Sequence, residues 1–219
     1  PINYYALIID CGDHGSREKT KEAADGMYDV LKDQGYNLNY LGPSVKGDVN
    51  SKSTKENIES AIKDLANKVK CCDRVFIFII GHGKKTGGIW VKSDNSFIKP
   101  NELEKWLNEI KSCSGKRCDE KGASCYVTIV IESCYSGNFL RLGGEGRIVV
   151  TSSKDTPSYF GSDGTGGEFS DGFINDLRDP ANSDTSSPPD GVVNTTEAFN
   201  SAVAKLKPAG PQEPQINGK

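Results

Sequence analysis

Along the chain, short apolar runs alternate with longer stretches whose apolar residues recur every three or four positions. The runs are Tyr4–Ile9 (YYALII), Val75–Ile80 (VFIFII), the centre of Arg147–Thr151 (RIVVT) and Tyr126–Ile131 (YVTIVI), the last broken only by Thr128. A segment apolar at every position suits a parallel strand covered on both faces, whereas a half-solvated strand alternates. Four buried strands are therefore predicted, and Asn37–Leu41 is short enough for another. Ala23, Ala24, Met27, Val30 and Leu31 share one face of a helix over Arg17–Gln34, with Gly35 as its C-terminal cap. Ile58, Ile62, Leu65 and Val69 predict a second helix that Ser53 or Thr54 can cap. Pro100 opens a third, carrying Leu103, Trp106, Leu107 and Ile110. Gly88–Val91 and Phe97-Ile98 flank a turn at Ser93–Ser96 and predict a hairpin; further helices are expected over Glu168–Leu177 and Glu197–Leu206.

Strands separated by helices predict an α/β three-layer sandwich. Its centre is a mainly parallel sheet of about six strands, with helices on both faces. The 219 residues suit one domain over 1–219, in which 207–219 form an extended Pro- and Gly-bearing tail. Neither repeats nor an internal linker interrupt it.

Charge and composition narrow the function. With 27 basic and 30 acidic residues and no basic stripe, nucleic acid is not an expected partner. The longest apolar run, Val75–Ile80, is far too short to span a bilayer. The chain starts at Pro1 without an initiator Met or an apolar leader, which reads as a trimmed or mature form. Seven cysteines leave at least one thiol over from any complete internal pairing. Cys71 and Cys72 are adjacent, and Cys113, Cys118 and Cys125 cluster. These are read as free thiols or, within the Cys113–Cys125 loop, as a disulfide that would imply an oxidising compartment.

Metal sites find little support. Cys11 and His14 have a ligand-like spacing but no second pair, so no zinc site is expected. Asp190-Gly191, Val193 and Glu197 reproduce part of a calcium loop, but Ser186 and Pro188 would fill its first and third places. A turn leading into a capped helix is the expected reading. No cofactor is required, and calcium stays possible.

Ligands of open α/β sheets bind beyond the carboxyl ends of the strands. Three polar clusters fall there: Asp10–Ser16, Gly81–Gly83 and Glu132–Gly137. His82 follows VFIFII between two glycines, which let a substrate backbone come close. Cys134 follows YVTIVI, 52 positions later (134 minus 82). If the two strands are neighbours, a thiol and an imidazole face one crevice. There the thiolate attacks a carbonyl, and the imidazole passes a proton to the leaving amine.

The block F-I-I-G-H-G resembles the histidine motif of the caspase–hemoglobinase clan of cysteine peptidases, and I-V-I-E-S-C-Y-S-G resembles its cysteine motif. The latter lies between the legumain and metacaspase forms. Supporting resemblance runs through Glu22–Gly35, Arg147–Ser153 with Ser158-Tyr159, Gly167–Leu177 and the tail Pro211–Ile216, so it covers roughly residues 4 to 216. It implies a legumain-like endopeptidase acting on polypeptides through a Cys134 thioester, with His82 as general acid and base. Backbone N–H groups of Gly83 and Cys134 would form the oxyanion hole. The specificity pocket would draw on Asp13, Arg17, Lys19, Glu132, Ser152, Ser153, Ser158 and Glu168. A cation among carboxylates would favour Asn or Asp before the scissile bond; carboxylates alone would select Lys or Arg. Legumain's first loop has an asparagine that orients its histidine. Asp10–Thr20 contains none, so Asp13 or His14 is the candidate there. The resemblance further implies an exported or vacuolar-lysosomal type of compartment, and a monomer is expected. Two alternatives use the same fold: a peptide ligase or transpeptidase on the same site, and a binding module without turnover.

Overall fold

The computed structural model describes residues 2–12, 19–42, 52–70, 72–110, 126–158, 167–185, 191–206 and 212–218. Its main sheet has six strands: β1 (Tyr4–Asp10), β2 (Asn37–Leu41), β3 (Arg74–Ile80), β7 (Tyr126–Glu132), β8 (Arg147–Thr151) and β9 (Gln215–Asn217). They lie in the order β2-β1-β3-β7-β8-β9. All pairings are parallel except β8 with β9. The fully apolar runs thus occupy the centre, where each strand has a neighbour on both edges and cover on both faces.

Alternate residues of these strands enter two separate cores. On one face Leu7, Ile9, Ile77, Ile79, Ile129 and Ile131 pack against α2 (Lys55–Lys68) and α3 (Pro100–Leu107) through Ile58, Ile62, Leu103 and Leu107. On the other, Ala6, Ile8, Phe76, Phe78, Ile80 and Val130 pack against α1 (Lys19–Asp33), α4 (Glu168–Arg178) and α6 (Thr195–Lys205). There Met27, Leu31, Phe169, Phe173 and Ala198 supply the helix side. The expected three-layer α/β sandwich is therefore the observed one.

Local signals act as the side chains require. Thr54, not Ser53, caps α2, accepting from Asn57 N–H at 3.2 Å. Gly35 follows α1 with φ of 82°, a conformation that costs glycine little. Asn194 and Glu197 form a reciprocal capping box on α6. Both Glu197 oxygens are thereby engaged, since Oε2 accepts from Asn194 N–H at 3.0 Å and Oε1 from Thr185 N–H at 3.1 Å. This is the turn and capped helix expected at the calcium-like stretch; Ser186, Pro188 and Asp190 lie outside the described residues. Among the described residues no cluster of His, Cys, Asp or Glu suits a metal ion.

Four features depart from the sequence pattern. The predicted hairpin is the outer part of a second, antiparallel sheet, β4-β5-β6, in which β5 is Gly88–Val91 and β6 is Ser96–Ile98. Its first strand, β4 (His82–Lys84), takes in the candidate histidine. Helix α3 ends at Leu107, leaving Ile110 buried in the turn beyond it. The tail contributes β9, and a short helix, α5 (Pro180–Ser183), follows α4. No described helix is long and apolar enough to cross a membrane.

Candidate active site

The register of the two central strands decides where the candidate pair lies. Strand β3 pairs with β7 from Arg74↔Tyr126 to Ile80↔Glu132, a constant offset of 52 (126 minus 74; 132 minus 80). His82 and Cys134 are separated by the same 52 positions, so each stands two residues beyond the last pair of adjacent strands. Gly81 N–H continues the ladder to the Glu132 carbonyl at 3.1 Å. The spacing in sequence is thus the register itself.

Beyond that point the two segments pack directly on each other. A Cβ at Gly83 would lie 1.8 Å from the Cys134 carbonyl oxygen and 2.8 Å from its carbon. No side chain fits, so glycine is required here for close approach rather than for backbone freedom. Tyr135 then takes a left-handed conformation, φ 56°, which turns the chain sharply after the cysteine. His82 is exposed and pairs across β4–β5 with Trp90, whose ring centroid is 6.3 Å from the imidazole. The Trp90 indole N–H donates to Asn95 Oδ1 at 3.0 Å, which fixes that ring.

Cys134 is partly accessible. Its Sγ lies 3.4 Å from the N–H nitrogen and 3.6 Å from the carbonyl oxygen of Ser158. The segment bearing Ser158 is fastened to the cysteine turn by backbone bonds. Ser152 N–H reaches Ile131 O at 3.0 Å, Tyr135 N–H reaches Thr156 O at 2.8 Å, and Gly137 N–H reaches Lys154 O at 2.9 Å.

Among the described residues the other free cysteine is Cys11, fully buried at the end of β1. Burial first, then the charges of Asp10 and Asp94, push its thiol well above the ordinary range. A thiol of that kind is inert, because the thiolate is the nucleophile. Cys72 is disulfide-bonded. Iodoacetamide at neutral pH is therefore expected to label Cys134 at least ~10-fold faster than Cys11 in the native protein. Peptide mapping by mass spectrometry checks this, and equal labelling of the two would remove the contrast.

Glu132 ends β7 fully buried, two residues before the cysteine. Its Oε1 accepts a short hydrogen bond from Ser158 Oγ. Its Oε2 accepts from Ser170 N–H at 3.0 Å and Ser170 Oγ at 2.8 Å. Gly167 packs against the same carboxylate, since a Cβ there would lie 2.6 Å from it. Burial is the larger influence and raises the Glu132 carboxyl above its ordinary range, while these donors pull it down.

The structure brings Glu132, Ser152 and Ser158 together. Ser152 Oγ and Ser158 Oγ are 3.0 Å apart, and Ser133 N–H donates to Ser152 Oγ at 3.2 Å. Ser153 is turned elsewhere: its hydroxyl donates to the Ser133 carbonyl at 3.0 Å and sits 3.2 Å from Ser136 Oγ. Glu168 opens α4 directly after Gly167, and its Oε2 is buried without a hydrogen-bond partner. Asp13, His14 and Arg17 lie outside the described residues, and Lys19 is the first residue of α1. Sequence reasoning missed Ser170, Trp90 and Gln212. Ser170 was legible as part of α4, but nothing in its type marked it as a partner of Glu132.

A partly accessible thiol and a histidine-bearing segment thus lie at the carboxyl end of a parallel sheet. The chain belongs to the caspase domain family, whose model matches residues 3–218. Caspase-1 from Spodoptera frugiperda shares its fold at 15% identity, covering 99% of this chain and 86% of the other, with a TM-score of 0.67. A protein from Geobacter sulfurreducens does so at 12% identity, covering 99% and 94%, with a TM-score of 0.65. At these identities the likeness is one of fold. No curated protein matches the chain.

Proposed function

We propose that the chain is a cysteine endopeptidase of legumain-like type, with Cys134 as nucleophile and His82 as general acid and base. The observation that carries this reading is the shared register, which sets both groups at one level off neighbouring strands. The Cys134 sulfur attacks the scissile carbonyl carbon, the C–N bond breaks, and His82 delivers the proton to the leaving amine. Water, deprotonated by His82, then attacks the thioester and returns the free thiol and a carboxylic acid. The N–H groups of Gly83 and Cys134 hold the oxyanion, a role supported by the close packing of Gly83 on the Cys134 carbonyl, which keeps the two backbones together. The disulfide at Cys72 supports an oxidising location, exported or vacuolar-lysosomal.

The side chain before the scissile bond enters a pocket floored by Glu132, with Ser152, Ser158 and Glu168 around it and Asp13 and Arg17 contributed by the first loop. Burial raises the Glu132 carboxyl above its ordinary range, so it takes up a proton more readily than a free carboxyl; when protonated it would offer a donor and an acceptor to Asn and a donor to Asp. Lys and Arg are the second reading, favoured by the two carboxylates Glu132 and Glu168, because an incoming cation supplies its own counter-charge.

These readings separate by pH. The Glu132 carboxyl is raised from its ordinary 4.5, so it stays protonated at pH values where a free carboxyl has ionised. As pH climbs through that raised value, cleavage after Asn is expected to fall relative to cleavage after Lys or Arg. Fluorogenic peptides differing only at this residue, assayed from pH 4 to about 8, measure the ratio. A ratio independent of pH, or unchanged in Glu132→Gln, would remove Glu132 from the pocket floor. Absence of hydrolysis across a broad peptide library, with retained peptide binding, would instead favour the binding module. Ligated product in the presence of an amine nucleophile would identify the transpeptidase.

A further inference from the structure

We propose that Gln212, in the segment leading into β9, is a positioning residue for this site, holding Ser158 between the buried Glu132 carboxylate and the Cys134 sulfur. The proposal deepens the cysteine-peptidase reading and rests on it.

Ser158 is the one described residue that meets both groups. Its hydroxyl donates to Glu132 Oε1, and its backbone N–H and C=O lie on either side of contact with Cys134 Sγ. A hydroxyl has one proton and two acceptor lone pairs. With the proton committed to Glu132, both lone pairs need donors. Gln212 Nε2 supplies one at 3.1 Å, and Ser152 Oγ, 3.0 Å away, is placed to supply the other. The second proton of the same Gln212 amide goes to the Ser152 carbonyl at 2.8 Å. One buried amide therefore ties down both ends of the 152–158 segment, and does so with donors alone.

This use of the amide is demanding. Glutamate at 212 has the same length but no proton to give, and methionine has the shape without polarity. Either leaves the Ser152 carbonyl without its Gln212 donor and frees the Ser158 hydroxyl to turn away from Glu132. The backbone of Ser158 then loses its fixed place beside the sulfur. In this proposal Gln212 acts through Ser158.

The test uses Gln212→Met and Gln212→Glu in the full chain, with Ser158→Ala and the Gln212→Met/Ser158→Ala double variant. Two readouts are taken: the ratio of kcat/KM for Asn- and Lys-containing peptides, and the rate of Cys134 alkylation by iodoacetamide, which needs no turnover. The expected result is a loss of about tenfold in kcat/KM in each single variant. The peptide ratio should shift at least threefold and alkylation should slow, with the double variant no worse than Ser158→Ala. Unchanged ratio and alkylation in a variant with only a lowered Tm would overturn the proposal and leave Gln212 as a tail anchor. If the unaltered chain cleaves no peptide, the peptidase reading fails. The alkylation comparison still decides whether Gln212 positions the sulfur's surroundings.

Discussion

Replacing Cys134 by alanine is expected to lower peptide hydrolysis by at least ~10⁴-fold, to the background of the uncatalysed reaction plus binding. His82→Ala should fall nearly as far. In the proposed mechanism the two groups serve one step: the sulfur is a useful nucleophile only if the imidazole accepts and returns the proton, and the imidazole has nothing to serve without the sulfur. The double variant is therefore expected to be scarcely worse than either single one, a non-additivity typical of groups that act as a unit. Steady-state kcat/KM on the best peptide, with circular dichroism to confirm folding, checks all three. The main sheet should be undisturbed, because both residues lie past the ends of β3 and β7 and outside the two cores. A His82→Ala variant retaining activity within tenfold of the parent would point to another proton carrier, and His14 is the one other imidazole in the chain.

Gly83→Ala is expected to cost about 10²-fold or more in kcat/KM, despite adding a single methyl group. The new Cβ would be placed 1.8 Å from the Cys134 carbonyl oxygen. That is far inside van der Waals contact, and the obstructing atom is backbone, so no side-chain rotation relieves it. Either β4 lifts, carrying His82 with it, or the cysteine turn moves and takes the sulfur and its N–H with it. Each displaces a reacting group by a sizeable fraction of an ångström. Gly144→Ala is the matched control, since nothing lies within 4 Å of a Cβ there, and it should leave kcat/KM within about twofold. Equal activity of the Gly83 and Gly144 variants would mean that the two segments are not in contact in solution.

Much of this arrangement was written in the sequence because its signals are local. VFIFII and YVTIVI read as buried strands from apolarity alone, and the distance between GHG and SCY matched a register that only pairing reveals. His82 was placed beyond a strand end but not on β4, because three residues, HGK, have no alternation to read. The surroundings of Glu132 were legible only in part. Ser158, Ser170 and Gln212 come from three distant segments, and a serine or glutamine reveals nothing about its partners until the fold joins them. Strand β9 escaped for a related reason: Gln215–Asn217 carries one apolar residue, and its pairing with β8 rather than its composition makes it a strand. The first-loop candidates Asp13 and Arg17 remain assigned by resemblance alone.

The level pairing of β3 with β7 has an evolutionary corollary. His82 and Cys134 each stand two residues past the last β3–β7 pair, and that level is set by hydrogen bonds between strands, not by the number of residues that join them. Insertions or deletions in the connection between α3 and β7 would change the count of 52 and leave both residues two positions beyond the same strand pair. By contrast, a slip of one residue in the ladder would send alternate side chains to the opposite layer. Such a domain can be remodelled freely along its connecting segments while its chemistry stays aligned.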